Sequence, residues 1–80
     1  MDDVIAINIF PNPANIYINV QSEHTIDKVD IIDETGSLQK TVSVNNTQKA
    51  INLEGMTSGH YILIIHSNGQ LAKRKIVLIE

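Results

Sequence analysis

The stretch that decides the fold is His60-Tyr61-Ile62-Leu63-Ile64-Ile65-His66-Ser67, followed at once by Asn68-Gly69 and, after Gln70, by Leu71. Tyr61, Leu63 and Ile65 alternate with Ile62 and Ile64, so a period of two makes both faces of the segment apolar. That pattern predicts a strand in the middle of a sheet. Asn-Gly adopts the two positive φ angles of a tight hairpin turn and is the strongest short hairpin signal in the chain. The chain is therefore predicted to reverse at 68–69 and to run back as a final strand over 71–79.

Outward from this hairpin the same punctuation repeats. Alternating apolar runs over 4–10, 16–20, 26–33, 38–44 and 49–53 bring the predicted strands to seven. Pro11-Asn12-Pro13 makes a stiff corner after the first, because proline lacks a ladder N–H and fixes φ. Asp33-Glu34-Thr35-Gly36 and Asn45-Asn46-Thr47 read as turns, and a loop with glycines near both ends covers 54–59. No stretch shows a helical period. Strands at near-ten-residue spacing predict an all-β sandwich or barrel of antiparallel strands. Ile7, Ile9, Ile18, Val29, Ile31, Ile51, Leu53, Tyr61, Leu63 and Ile65 are the expected core, with Val42 and Val44 joining it.

Composition agrees with this and removes several functions. Eighty residues make one domain, 1–80. Ile, Val and Thr account for 25 of them and Ala for only 4, a bias toward pleated sheet. Cysteine is absent, so disulfides, zinc-thiolate sites and thiol nucleophiles are excluded. A net charge of −3 and three aromatics suit neither nucleic-acid binding nor base stacking. No apolar run approaches a membrane span, and no basic-then-apolar start suggests a signal peptide. The lack of any linker fits a domain cut from something longer.

Catalytic chemistry finds little to work with. His60 and His66 share a strand face about 20 Å apart, too far to hold one metal. His24 joins them as an expected turn histidine. Asp27, Asp30 and Asp33 recur every third residue, which puts neighbours on opposite faces rather than in a carboxylate pair. Asp33 with Gly36 reads as turn capping. No serine lies in a nucleophile elbow, the glycines form no phosphate loop, and Asn45-Asn46-Thr47 matches a glycosylation sequon of a kind common by chance. No catalytic residue, cofactor, metal or small-molecule substrate is expected. One asymmetry stands out. Residues 1–70 hold three lysines against eight acids, whereas 71–80 hold Lys73, Arg74 and Lys75 against Glu80. On charge alone the favoured reading is a terminal edge strand whose positive charges discourage edge-to-edge association; the alternative is an address that another protein can read.

Four motifs in register now point to a family. They are Pro11-Asn12-Pro13-Ala14 after an apolar strand, Val29 through Gly36, the run from Ile51 to Gly59-His60-Tyr61, and the basic, apolar tail Lys73, Arg74, Lys75, Ile76, Val77, Leu78 and Ile79. In this order the chain resembles the C-terminal sorting domain of the Por, or type IX, secretion system of Gram-negative bacteria. It departs in Ile32, where the family often has tyrosine, and in Glu80, where a basic residue is common.

The resemblance implies an immunoglobulin-like β-sandwich of about seven antiparallel strands. It implies a non-enzymatic signal fused behind a cargo that passes through the periplasm and reaches the outer membrane and cell surface. The implied partners are the outer-membrane secretion machinery and a surface sortase that removes the domain at or before the first strand. Lys73 to Ile79 is the expected recognition element, offered as an open edge for β-addition. Gly59 and Tyr61, with Pro11 and Pro13, are expected to be structural. The rival readings are a generic immunoglobulin-like or fibronectin-like adhesion module and a sugar-binding module; too few aromatics argue against the second.

Overall fold

The computed structural model describes residues 6–79. It contains five strands: β1 (Ile7–Phe10), β2 (Tyr17–Asp33), β3 (Leu38–Asn52), β4 (Gly59–Ser67) and β5 (Gln70–Leu78). All pairings between these strands are antiparallel. Residues 4 and 5 of the predicted first strand lie outside the described residues. The class is all-β as expected, but the count is five rather than seven, because two predicted breaks are bends within long strands.

β2 and β3 pair along nearly their whole lengths, with a register break between Gln21↔Gln48 and Ile26↔Asn46. Four residues on β2 there (22–25) oppose one on β3 (47), a bulge that bends both strands while keeping them extended. Asn45 supports the bend with φ 52°, a conformation asparagine tolerates better than most residues. On the far side of β2, its first half pairs with β1 and its second half with β4. One hydrogen-bonded sheet thus curls into two layers. The first is β1, the start of β2 and the end of β3. The second is the start of β3, the end of β2, β4 and β5. Counted as layer segments, the two long strands supply four, so the sandwich-like class survives the lower strand count.

The core lies between the layers. Ile18, Val20, Ile51 and Leu53 come from the first; Val29, Ile31, Val44, Tyr61, Leu63, Ile65, Ala72, Ile76 and Leu78 come from the second. Ile26 at the bend and Ala14 are fully buried as well. Ile7 and Ile9, expected in the core, are only half-buried. β1 is a four-residue edge strand and cannot be covered on its outer side. Val42 is likewise half-buried, and Ile16, aligned by alternation with Ile18 and Val20, is 59% exposed because the strand starts one residue later. β4 has neighbours on both sides, as its two apolar faces predicted. The one buried polar side chain among the described residues is Ser67, whose Oγ donates to the Thr25 carbonyl at 2.7 Å.

The turns explain the motif residues. Asn68 and Gly69 both have positive φ, as an Asn-Gly hairpin requires. At the β2–β3 turn, Asp33 Oδ1 accepts the amides of Thr35 and Ser37 at 2.9 and 3.0 Å, while Oδ2 accepts Gln39 Nε2 at 2.9 Å. Gly36, at φ 89°, lets the chain turn back beneath that carboxylate. Ahead of β4, Tyr61 buries its ring and donates its hydroxyl to the Thr57 carbonyl, pinning the loop to the strand it enters.

Candidate functional site

The basic terminal strand is not one surface. Along β5, Ala72, Ile76 and Leu78 point into the core, and Lys73 and Lys75 point outward with Val77. Arg74 falls on the inner side opposite Leu63, is half-buried, and donates from Nη1 to the Lys73 carbonyl at 2.9 Å. Alternation on a strand divides three consecutive charges between two faces. Ile79 follows the strand and is 46% exposed.

The edge of β5 is also not open over its whole length. The Pro11–Ala14 corner lies along its second half. Asn12 Nδ2 donates to the Lys75 carbonyl at 3.3 Å, and the Val77 amide donates to Asn12 Oδ1 at 3.1 Å. Ala14 continues the line: its amide donates to the Val77 carbonyl at 2.7 Å and its carbonyl accepts the Ile79 amide at 2.8 Å, a parallel bridge. The Asn12 side-chain amide copies a peptide group, so one residue extends a ladder between two prolines that lack amides. Both X-Pro bonds, at Pro11 and Pro13, are cis. An open edge at 75–79 is therefore corrected: residues 12–14 close it, and strand addition to β5 is left to its first half.

On the outer face of the second layer a polar trio crosses three strands. Thr41 Oγ1 donates to Asp30 Oδ1 at 2.8 Å, and His66 Nε2 meets Asp30 Oδ2 at 2.8 Å. Partial burial works against the Asp30 carboxylate, but the bonds from Thr41 and His66 outweigh it, and the charges of His66 and Lys28 add to them, so its pKa falls below the ordinary 3.8. A lowered carboxyl pKa stabilises the fold where the group is ionised. That contribution is complete above pH 3.8 and is lost as pH falls through the lower folded-state value. We expect Asp30→Asn to flatten the loss of stability on acidification below pH 4, read as midpoint against pH in urea titrations; an unchanged slope would remove Asp30 from the account.

His60 shares the outer face of β4 with His66, and His24 is exposed at the bend. No group of histidines and carboxylates among the described residues is arranged to hold a metal. No helix among them is long and apolar enough to cross a membrane.

A family model described as the secretion-system C-terminal sorting domain, the Por secretion tail, matches residues 8–80. This chain belongs to that family. In fold the sorting domain is similar to part of PorZ, described as an essential bacterial surface component of the type-IX secretion system of Porphyromonas gingivalis. The TM-score is 0.75 at 18% identity, over 94% of this chain and 12% of that one. The sorting domain thus spans about an eighth of that chain, and the likeness is one of fold. No curated protein matches.

Sequence reasoning placed the motif residues but missed what joins them. Pro11, Asn12 and Pro13 form the expected corner, and Asn12 with Ala14 also straps the terminal strand. The available signal was a side-chain amide placed between two residues that cannot donate.

Proposed function

We propose that this sorting domain directs a protein fused upstream of it across the outer membrane through the type IX secretion system. On this reading the protein passes through the periplasm to the cell surface. A surface sortase then removes the domain, which catalyses nothing itself. Family membership over residues 8–80 supports the reading most directly. The element read by the machinery is the terminal strand, from Lys73 to Ile79. It concentrates positive charge on a domain that is otherwise acidic, which gives it a distinct electrostatic mark.

The test fuses a reporter ahead of the domain in a bacterium with this secretion system. Lys73, Arg74 and Lys75 are replaced by Gln, and folding is checked by circular dichroism. Exposed charges contribute little to stability, roughly 0–1 kcal/mol per pair, so the fold should survive. The double variant Lys73→Gln/Lys75→Gln, which spares half-buried Arg74, covers the case where the triple variant unfolds. A folded variant that loses surface display supports direct reading of the strand; normal display by a folded variant overturns it.

A further inference from the structure

The outer face of the second layer is not an ordinary solvent face. Three cross-strand rows span β3, β2, β4 and β5: Leu38–Ile32–Ile62–Lys75, Thr41–Asp30–Ile64–Lys73 and Ser43–Lys28–His66–Leu71. An antiparallel sheet with one wet face usually turns polar residues outward. Here Ile32, Ile62 and Ile64 occupy the middle, and Leu38 and Leu71 stand well exposed at opposite corners. Next to the first row is a hollow of about 280 Å³ lined by Glu34, His60, Tyr61, Ile62 and Lys75.

The charge beside these apolar groups has one sign along β5. Neither Lys73 nor Lys75 forms an ion pair among the described residues. Asp30, the acid in the row of Lys73, is already engaged by Thr41 and His66, and Glu34, which lines the hollow with Lys75, forms no ion pair with it. An apolar stripe bordered by lysines that form no ion pair among the described residues fits a surface of the opposite pattern.

We propose that the secretion machinery grips this face rather than the edge of β5, and that the occupant is an acidic protein segment. It presents a bulky apolar side chain to the hollow, and carboxylates beside it to Lys73 and Lys75. The inference rests on the sorting function proposed above. The strap supports it, because residues 12–14 hold the backbone groups that strand addition at 75–79 would need. A bilayer is the weaker fit: two lysines on a domain of net charge −3 are a poor match for an anionic membrane.

Surface display of an upstream reporter tests this with three variants. Ile62→Thr/Ile64→Thr keeps β-branching while removing the apolar stripe. Leu38→Gln/Lys75→Glu changes only outward, exposed side chains and serves if the first variant does not fold. Tyr17→Thr/Lys49→Glu makes the same kinds of change in the first layer. We expect the two outer-face variants, folded by circular dichroism, to lower display at least tenfold and the first-layer variant to leave it unchanged. Normal display by a folded outer-face variant overturns the face while leaving the sorting function intact. Failure of the unaltered domain to deliver the reporter overturns both. Sedimentation of the unaltered domain with vesicles containing phosphatidylglycerol, abolished by Lys73→Glu/Lys75→Glu, overturns the protein occupant in favour of lipid.

Discussion

Replacing Ile31 or Leu63 by alanine is expected to destabilise the domain by about 2–5 kcal/mol each. Both side chains are fully buried, and they stand opposite one another where β2 pairs with β4. Each truncation removes transfer free energy and leaves a cavity between two strands that cannot close it, because each is held by neighbours on both sides. A domain of this size has only a few kcal/mol to lose and, without cysteines, no covalent brace. Urea titrations followed by far-ultraviolet circular dichroism should show either variant largely unfolded at 37 °C. The pair should also be non-additive, since the residues share one site. A loss below 1 kcal/mol in both would show that the centre of the second layer is not where the stability resides.

Replacing Asn12 by alanine is expected to cost about 1–3 kcal/mol, two ordinary hydrogen bonds' worth, although the side chain is exposed. The variant leaves the Lys75 carbonyl and the Val77 amide without their partners from the corner. The effect should be local before it is global. Amide exchange at Val77 should accelerate well beyond that at Leu63, whose strand is paired on both sides. Asn12→Asp separates the two bonds, because it can still accept from Val77 but cannot donate to Lys75. Unchanged exchange at Val77 in the alanine variant would mean that the strap does not protect the strand.

These two sites differ in how far the sequence reveals them. The burial of Leu63 follows from alternation within one strand, and its turn from a two-residue signal, so both are local. The bend in β2 and β3 is not. Gln21 to Thr25 and Asn45-Asn46-Thr47 are polar, and polarity marks a chain reversal and an extended bulge alike; only the partner strand decides between them. The strap is least visible of all. It depends on a side chain standing in for backbone opposite residues 63 and 65 positions away, which no periodicity encodes. The candidate site was legible as a charged segment but not as two faces until pairing assigned Lys73 and Lys75 to one and Arg74 to the other.

The strap also bears on the order in which the domain is assembled. A contact across more than sixty residues gains nothing until the chain between its ends has been shortened by structure. The hairpin of β4 and β5 and the pairing of β2 with β3 are comparatively local and perform that shortening. Docking of Asn12 and Ala14 on Lys75, Val77 and Ile79 is thus a closing event, available only to a chain whose other strands already stand in register.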